Sequence, residues 1–358
     1  DLEQQKLAHS LGEGHRLVFG VAGSGKTVIL VARARALALE HPQWNILVLC
    51  YNRLLAKMIK HQLKPQEFQA NIVVTTFHTW AKEFIEAEDN YSHLANVYKN
   101  ALNKAMDEGR ENEFFVDVVP KILSETMEDM GEKHRQIYHA VLIDEAQDFE
   151  KEWLELIVKC LKTKTNSLLV CCDGLQGIYA RKKFYWSDVG IQARGRVKKL
   201  KKSYRNPREI ALLGKSVLPK DILEKIGTSD EFIKVEEFAG GKGKTTFRVK
   251  PSRNAEYLFI ANKAKEHLTD QKNVAVLFPY NPKTGESRHN FLAILDQKKI
   301  PYSTMHEGYP NHPGVLIGTI HNSKGLEFNT VFIPEIDKYN KGEKRQLLSV
   351  GITRSRKQ

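Results

Sequence analysis

Two stretches of this 358-residue chain combine residue types that handle phosphate. The first, residues 20–27, reads Gly-Val-Ala-Gly-Ser-Gly-Lys-Thr. Gly20, Ala22, Gly23, Ser24 and Gly25 form a small-residue loop whose backbone N–H groups can curl around phosphate oxygens ahead of a helix N-terminus. Lys26 then reaches the β- and γ-phosphates, and the Thr27 hydroxyl is placed to ligate Mg²⁺. The second stretch, residues 139–149, is a buried strand that delivers Asp144 and Glu145 side by side at its tip. Enzymes with such loops need one carboxylate to hold the metal and another to orient or deprotonate water, which suits Asp144 and Glu145 respectively. ATP and Mg²⁺ are the cofactors these residues call for.

The elements around the two stretches alternate as a parallel α/β protein requires. An apolar strand precedes the loop and a helix over 28–39 follows it. Further strands are predicted at 45–51 and 167–173, both buried, and at 71–76, β-branched; they lead into polar or aromatic residues, Tyr51-Asn52-Arg53, Gly174-Leu175-Gln176-Gly177-Ile178-Tyr179 and Thr76-Phe77-His78 respectively. The C-terminal ends of parallel strands are where open α/β sheets bind ligands. For Tyr51 and Trp80, capping of the core competes evenly with ligand contact. From Ala81 to His139 charged helices take over, which reads as a helical insertion. Residues 181–186, Arg-Lys-Lys-Phe-Tyr-Trp, interleave three cations with three aromatics, a composition that grips single strands or fills a half-buried cluster under a loop. The uncharged Gln176 could sense a γ-phosphate.

The second half repeats the alternation without a phosphate loop. Pro207 opens a helix, strands are predicted at 273–278, 315–320 and 330–333, and helices at 289–297 and 344–354. Residues 240–245, Gly-Gly-Lys-Gly-Lys-Thr, imitate the loop. Phe238 stands where the first glycine belongs, and 246–249 reads as a strand, so a hairpin turn is expected.

Length allows two or three domains, each with a core. A formal charge of +12 and a pI near 9.3 point to polyanionic partners, nucleic acid first. No apolar run is long enough to span a membrane and no signal peptide opens the chain. Cys50, Cys160, Cys171 and Cys172 have no metal-ligand spacing and suit buried thiols in the cytoplasm. The first residue is Asp1, so the chain is expected to belong to something longer.

Taken in order, Gln4, the loop 20–27, Tyr51-Asn52-Arg53, Thr76-Phe77-His78, Asp144-Glu145-Ala146-Gln147-Asp148, 174–179, Tyr204-Arg205, 319–328 and 350–354 resemble the superfamily 1 DNA helicases of the UvrD, Rep and PcrA group. The most specific segments are Ile-Asp-Glu-Ala-Gln-Asp, His-Asn-Ser-Lys-Gly-Leu-Glu-Phe and Val-Gly-Ile-Thr-Arg. The resemblance implies two RecA-like P-loop domains with parallel sheets and ATP in the cleft between them. The first would be 1–199, with a small helical insertion at about 82–138, and the second 200–358. Gln4 would read adenine and Tyr204 stack on it. Lys26, Glu145, Gln176, Arg205 and Arg354 would act on the reacting phosphate, and Glu327 would lie near the ribose. Single-stranded or partly duplex DNA would pass Tyr51, Asn52, Thr76, His78, Tyr179, Arg181, Trp186 and His321, with movement from 3′ to 5′.

This chain departs from the family in several places. Val28 follows the loop threonine where relatives carry a cation, and Arg181 stands where relatives have a tryptophan. Only a short stretch separates Tyr302 from Gly314, where the family inserts a large accessory domain. The segment between Ile333 and Glu343 is also short, where relatives place a strand-separating hairpin. An ATP-gated DNA-binding module of a larger nuclease or defence protein is therefore the alternative to a helicase. A small-molecule kinase is disfavoured by the basic charge and by the paired arginines.

Overall fold

Six short strands, most of them rich in apolar and β-branched residues, set the architecture of the first half. In the computed structural model, which describes residues 2–87, 92–177, 184–228, 232–268, 273–279, 286–305, 314–340 and 342–357, they form one sheet. The strands are β1 (His15–Gly20), β2 (Asn45–Cys50), β3 (Asn71–Thr76), β4 (Ala140–Ile143), β5 (Ser167–Cys172) and β6 (Val197–Leu200), in the order β3-β2-β4-β5-β1-β6. β1 pairs with β5, β5 with β4, β4 with β2 and β2 with β3, all parallel. Parallel neighbours need crossovers, and helices supply them.

α1 (Leu2–Ser10) precedes the sheet, α2 (Lys26–Glu40) follows β1 and α3 (Arg53–Leu63) follows β2. α4 (Phe77–Glu86), α5 (Ser92–Asp107), α6 (Glu111–Glu113) and α7 (Val119–Arg135) fill the span between β3 and β4, with a π turn, Phe114–Val118, between the last two. Trp80 is buried and donates from Nε1 to the Tyr138 hydroxyl at 3.1 Å. Trp80 is thus a core residue. α8 (Lys151–Lys159) carries Trp153, which stacks on Phe77 with centroids 4.6 Å apart.

The second half holds a separate parallel sheet. β7 (Lys202–Ser203) pairs with β8 (Glu237–Phe238), while β9 (Val274–Phe278), β10 (Tyr302–Thr304), β11 (Val315–Thr319) and β12 (Thr330–Phe332) form the order β10-β11-β9-β12. α9 (Arg208–Ser216), α10 (Lys220–Lys225), α11 (Arg253–His267), α12 (Glu286–Gln297) and α13 (Gly342–Ile352) surround them. Tyr257, Ile260, Val276, Phe278, Phe291 and Ile317 lie in one buried cluster. Among the described residues, no helix is long and apolar enough to cross a membrane.

The chain divides into two compact units. One contains Asp1–Phe19, Lys26–Cys172 and Tyr179–Lys198; the other contains Gly20–Gly25, Asp173–Ile178 and Lys199–Gln358. Two loops at the tips of first-sheet strands therefore group with the second half.

Two expectations need correction. Residues 246–249 are exposed and form no strand, so the hairpin expected there is not formed; Phe247 and Val249 face solvent instead of a partner strand. α13 ends at Ile352, so Thr353 and Arg354 lie in the turn beyond it, where Arg354 N–H bonds the Gly351 carbonyl at 3.1 Å.

Candidate nucleotide and nucleic-acid site

The register of the first sheet brings the C-terminal ends of β1, β5, β4, β2 and β3 side by side. The phosphate loop, Asp173 to Gln176, Asp144-Glu145, Tyr51-Asn52 and Thr76 to His78 follow those five ends in turn. Spacing in sequence becomes adjacency in space through strand pairing alone.

The first centre lies in the first unit. α2 begins at Lys26, whose side chain is buried. The Thr27 hydroxyl donates to Asp144 Oδ2 at 2.6 Å, and Glu145 N–H donates to Asp144 Oδ1 at 3.0 Å. Asp144 is fully buried. Burial and the adjacent Glu145 charge push its carboxyl up to about 6, against the opposing pull of Thr27 and Lys26. Glu145 is buried too, with a left-handed backbone (φ 53°), a strained geometry that concentrates at functional sites. Its carboxylate accepts from the Gln147 amide. Cys50 and Cys171 are buried beside this centre, and desolvation, then the Asp144 charge, raises both thiols well above their ordinary range. They are inert packing, as expected.

The second centre lies in the second unit. The loop backbone is held by Ser203 Oγ donating to the Ala22 carbonyl at 2.9 Å and by Tyr204 N–H donating to the Gly23 carbonyl at 2.9 Å. Gly23 has φ +73°, and a Cβ there would collide with Arg205 Cβ, so only glycine fits. Arg205 donates from Nε to Glu327 Oε2 at 2.7 Å, and Arg356 pairs with the other Glu327 oxygen. Gln176 is buried: its Nε2 donates to Asp173 Oδ2 at 2.7 Å, its Oε1 accepts from Arg354, and its backbone carbonyl accepts from Lys324 Nζ. Arg354 also donates from Nε to the Val350 carbonyl at 3.1 Å. Glu327, expected near a ribose, is here an ion-pair partner of two arginines.

Gln4 is buried in α1, and Tyr204 is half-buried with Lys202 Nζ 5.2 Å from its ring centroid. Two residues expected along DNA act locally as helix caps: Asn52 Oδ1 accepts from Leu55 N–H at 2.8 Å, and Thr76 Oγ1 accepts from Thr79 N–H at 3.4 Å. Tyr51 is half-buried. The His78 ring packs against Phe115 and Trp153, centroids 4.9 and 4.6 Å away. Trp186 meets Phe184 and Phe19 edge-on at 5.6 and 6.2 Å. His321 is held below its usual pKa by burial and then by Lys324. Tyr179 and Arg181 lie outside the described residues.

Sequence reasoning missed Lys324, Asp173, Gln147 and Arg356. Each is a common surface residue type, and lysine is almost never fully buried without a partner. Lys324 Nζ donates to the backbone carbonyl of Gln176, a partner invisible in sequence.

The chain matches the family described as AAA domain over residues 4–182, half its length, and the UvrD-like helicase C-terminal domain over residues 314–358. It is similar to a probable DNA helicase II homolog of Mycoplasma pneumoniae, 30% identical over 29% of this chain and 16% of that protein. A probable DNA helicase of the same organism is 20% identical across 99% of this chain and 81% of that protein. The chain thus spans under a fifth of the first relative's length and about four fifths of the second's. Among solved structures, the helicase nonstructural protein 10 of an arterivirus, in complex with DNA, aligns with 99% of this chain and 61% of its own (13% identity, TM-score 0.42). The C-terminal domain of a possible DNA helicase from Lactobacillus plantarum WCFS1 aligns with 43% of this chain and 83% of its own (17% identity, TM-score 0.33). With an AAA domain over half its length and the helicase C-terminal domain at its end, the chain belongs to the UvrD-like superfamily 1 helicases, a family of ATP-hydrolysing helicases.

Proposed function

We propose that the chain is an ATP-dependent DNA translocase or helicase that moves 3′ to 5′ on single-stranded DNA and couples ATP hydrolysis to closure of two RecA-like domains, 1–199 and 200–358. The observation that carries the reading is the Thr27–Asp144 contact of 2.6 Å beside Glu145, reached through Lys26 at the start of α2.

The donor set fits Mg²⁺. A hydroxyl and a carboxylate oxygen are hard ligands, and a buried carboxyl pushed up by a second acid is relieved by a cation. Thr27 and Asp144 would hold the metal, which would supply charge neutralisation to the phosphates. Lys26 binds the β- and γ-phosphates. Glu145 orients the attacking water and takes its proton. Gln176, Arg205 and Arg354 bind the γ-phosphate, and an arginine in that role is worth roughly 10³ to 10⁵ in rate. Gln4 and Tyr204 hold adenine, and Tyr51, Asn52, Thr76, His78, Tyr179, Arg181, Trp186 and His321 line the DNA path.

The brief connection from Tyr302 to Gly314 favours a second reading, in which the chain is the motor arm of a larger nuclease or defence protein and does not separate strands alone. Steady-state ATP hydrolysis with and without single-stranded DNA tests the first reading, with Lys26→Ala as control. Strong stimulation by DNA supports it. Hydrolysis indifferent to DNA overturns it in favour of a regulated ATPase module.

A further inference from the structure

Asp173 follows β5 and opens the 3-10 turn Gly174–Gln176. Both of its carboxylate oxygens are engaged: Oδ1 accepts from Leu175 N–H at 3.2 Å and Oδ2 from Gln176 Nε2 at 2.7 Å. On the far side of the same amide, Arg354 donates to Gln176 Oε1. Asp173, Gln176 and Arg354 are all buried. A carboxylate only accepts and a guanidinium only donates. Turning the amide over would set Oε1 against Oδ2 and Nε2 against the guanidinium, two like pairs in a buried place. The amide therefore has one allowed orientation, and Asp173 imposes it.

We propose that Asp173 is a positioning residue for ATP turnover: it fixes the Gln176 amide so that Oε1 engages Arg354, which the γ-phosphate must then take over. The inference rests on the reading above that Gln176 and Arg354 meet that phosphate. Donor and acceptor logic makes it specific. In Asp173→Asn, the single oxygen is claimed by Leu175 N–H, so Nδ2 faces Gln176. The amide flips to accept from it, and Arg354 then meets a second donor. Gln176→Glu in the parent sets two carboxylates together. In the double variant, the amide introduced at position 173 donates from Nδ2 to one oxygen of the carboxylate introduced at position 176. Arg354 donates to the other oxygen, and every pair is complementary again.

The test is a double-mutant cycle on the full chain, reading kcat and KM for ATP at saturating single-stranded DNA alongside thermal unfolding midpoints. Asp173→Asn and Gln176→Glu are each expected to lower kcat by about tenfold or more and to lower Tm; the double variant, whose carboxylate at position 176 still faces the γ-phosphate, is expected to stay below the parent but to turn over about threefold or more faster than Gln176→Glu alone. A rise of both kcat and Tm over Gln176→Glu supports the inference. A rise of Tm alone reduces Asp173 to a turn cap and overturns it, and a double variant no better than Gln176→Glu overturns it too. A parent chain without ATPase activity is a failure of the functional reading, recognised before any variant is compared, and it removes the inference with it.

Discussion

The two centres solve opposite electrostatic problems. In the first unit, Asp144 and Glu145 crowd two buried acids together, and burial, then the Glu145 charge, push the Asp144 carboxyl up despite Thr27 and Lys26. In the second, Arg205 and Arg356 share Glu327, and Arg354 rests on Gln176 and on backbone carbonyls. The acidic centre is only partly offset by Lys26 and gains by taking a cation. The basic centre is already satisfied by its own chain, so any phosphate must displace existing partners. If the proposed function holds, the first centre would set whether nucleotide and metal bind, and the second when hydrolysis proceeds.

The largest effects should come from the first centre. Lys26→Ala and Glu145→Gln are both expected to lower ATP turnover by about 10³-fold or more, since phosphoryl transfer rests on positioning and charge neutralisation. They should differ in binding: Glu145→Gln keeps its affinity for nucleotide, measured by fluorescent-analogue titration, whereas Lys26→Ala loses it. Normal hydrolysis by Glu145→Gln would falsify its role as base.

The second centre is expected to show the inverse pattern. Arg354→Ala and Arg205→Ala should lower kcat by about 10²- to 10³-fold while KM for ATP moves less than about threefold. If KM rose instead with kcat intact, the arginines would be binding groups and the division between the centres would collapse.

A smaller effect tests the electrostatic origin of the difference. The Asp144 carboxyl titrates near 6 in the folded chain and at its ordinary, lower value when unfolded. The folded state thus binds the extra proton, and this group's contribution to stability falls as pH rises through about 6. Asn at 144 removes the acid yet keeps both contacts, since its oxygen can accept from Glu145 N–H and its Nδ2 can donate to Thr27 Oγ1. In a chelating buffer, Asp144→Asn should therefore gain in Tm over the parent as pH rises from about 4 to about 6, the window that shift defines, and hold that gain above it. Added Mg²⁺ at pH 8 should raise the parent Tm and leave the variant unmoved. A parent advantage that grew with pH would show that Asp144 is not destabilised by burial.

The same division explains what could be read from the sequence. The first centre was legible because a glycine loop, a lysine and paired carboxylates at strand ends have few other uses, and parallel pairing fixes where those ends lie. The strands at 45–50, 71–76 and 167–172 fall within a residue of their expected limits because each is dominated by apolar and β-branched residues. The second centre was legible mainly as positions in a resemblance, apart from Gln176, whose uncharged amide follows a buried strand. Lys324 is buried on a backbone carbonyl, and Asp173 works through hydrogen-bond polarity, and neither fact is carried by residue type. Residues 246–249 failed for a related reason: their β-branched pattern gives a strand propensity, but a ladder needs a partner, and none of the described strands lies against them.

Base recognition offers the finest contrast between the units. Gln4 is a buried amide, a group that both donates and accepts and so can match an adenine edge. Tyr204 is a half-buried ring beside Lys202, a face that stacks on any base. Tyr204→Ala should raise KM about tenfold for ATP and GTP alike, as loss of one stacked ring costs about 1 to 3 kcal/mol. Tyr204→Phe should stay within about twofold, because the ring and not the hydroxyl carries the contact. Gln4→Ala should change KM for ATP only about threefold to tenfold but erase the preference for ATP over GTP, since hydrogen-bond readout acts on one base and not the other. Steady-state KM values for the two nucleotides decide it. Equal loss of discrimination in both variants would mean that specificity is shared, and that the ring at Tyr204 does more than stack.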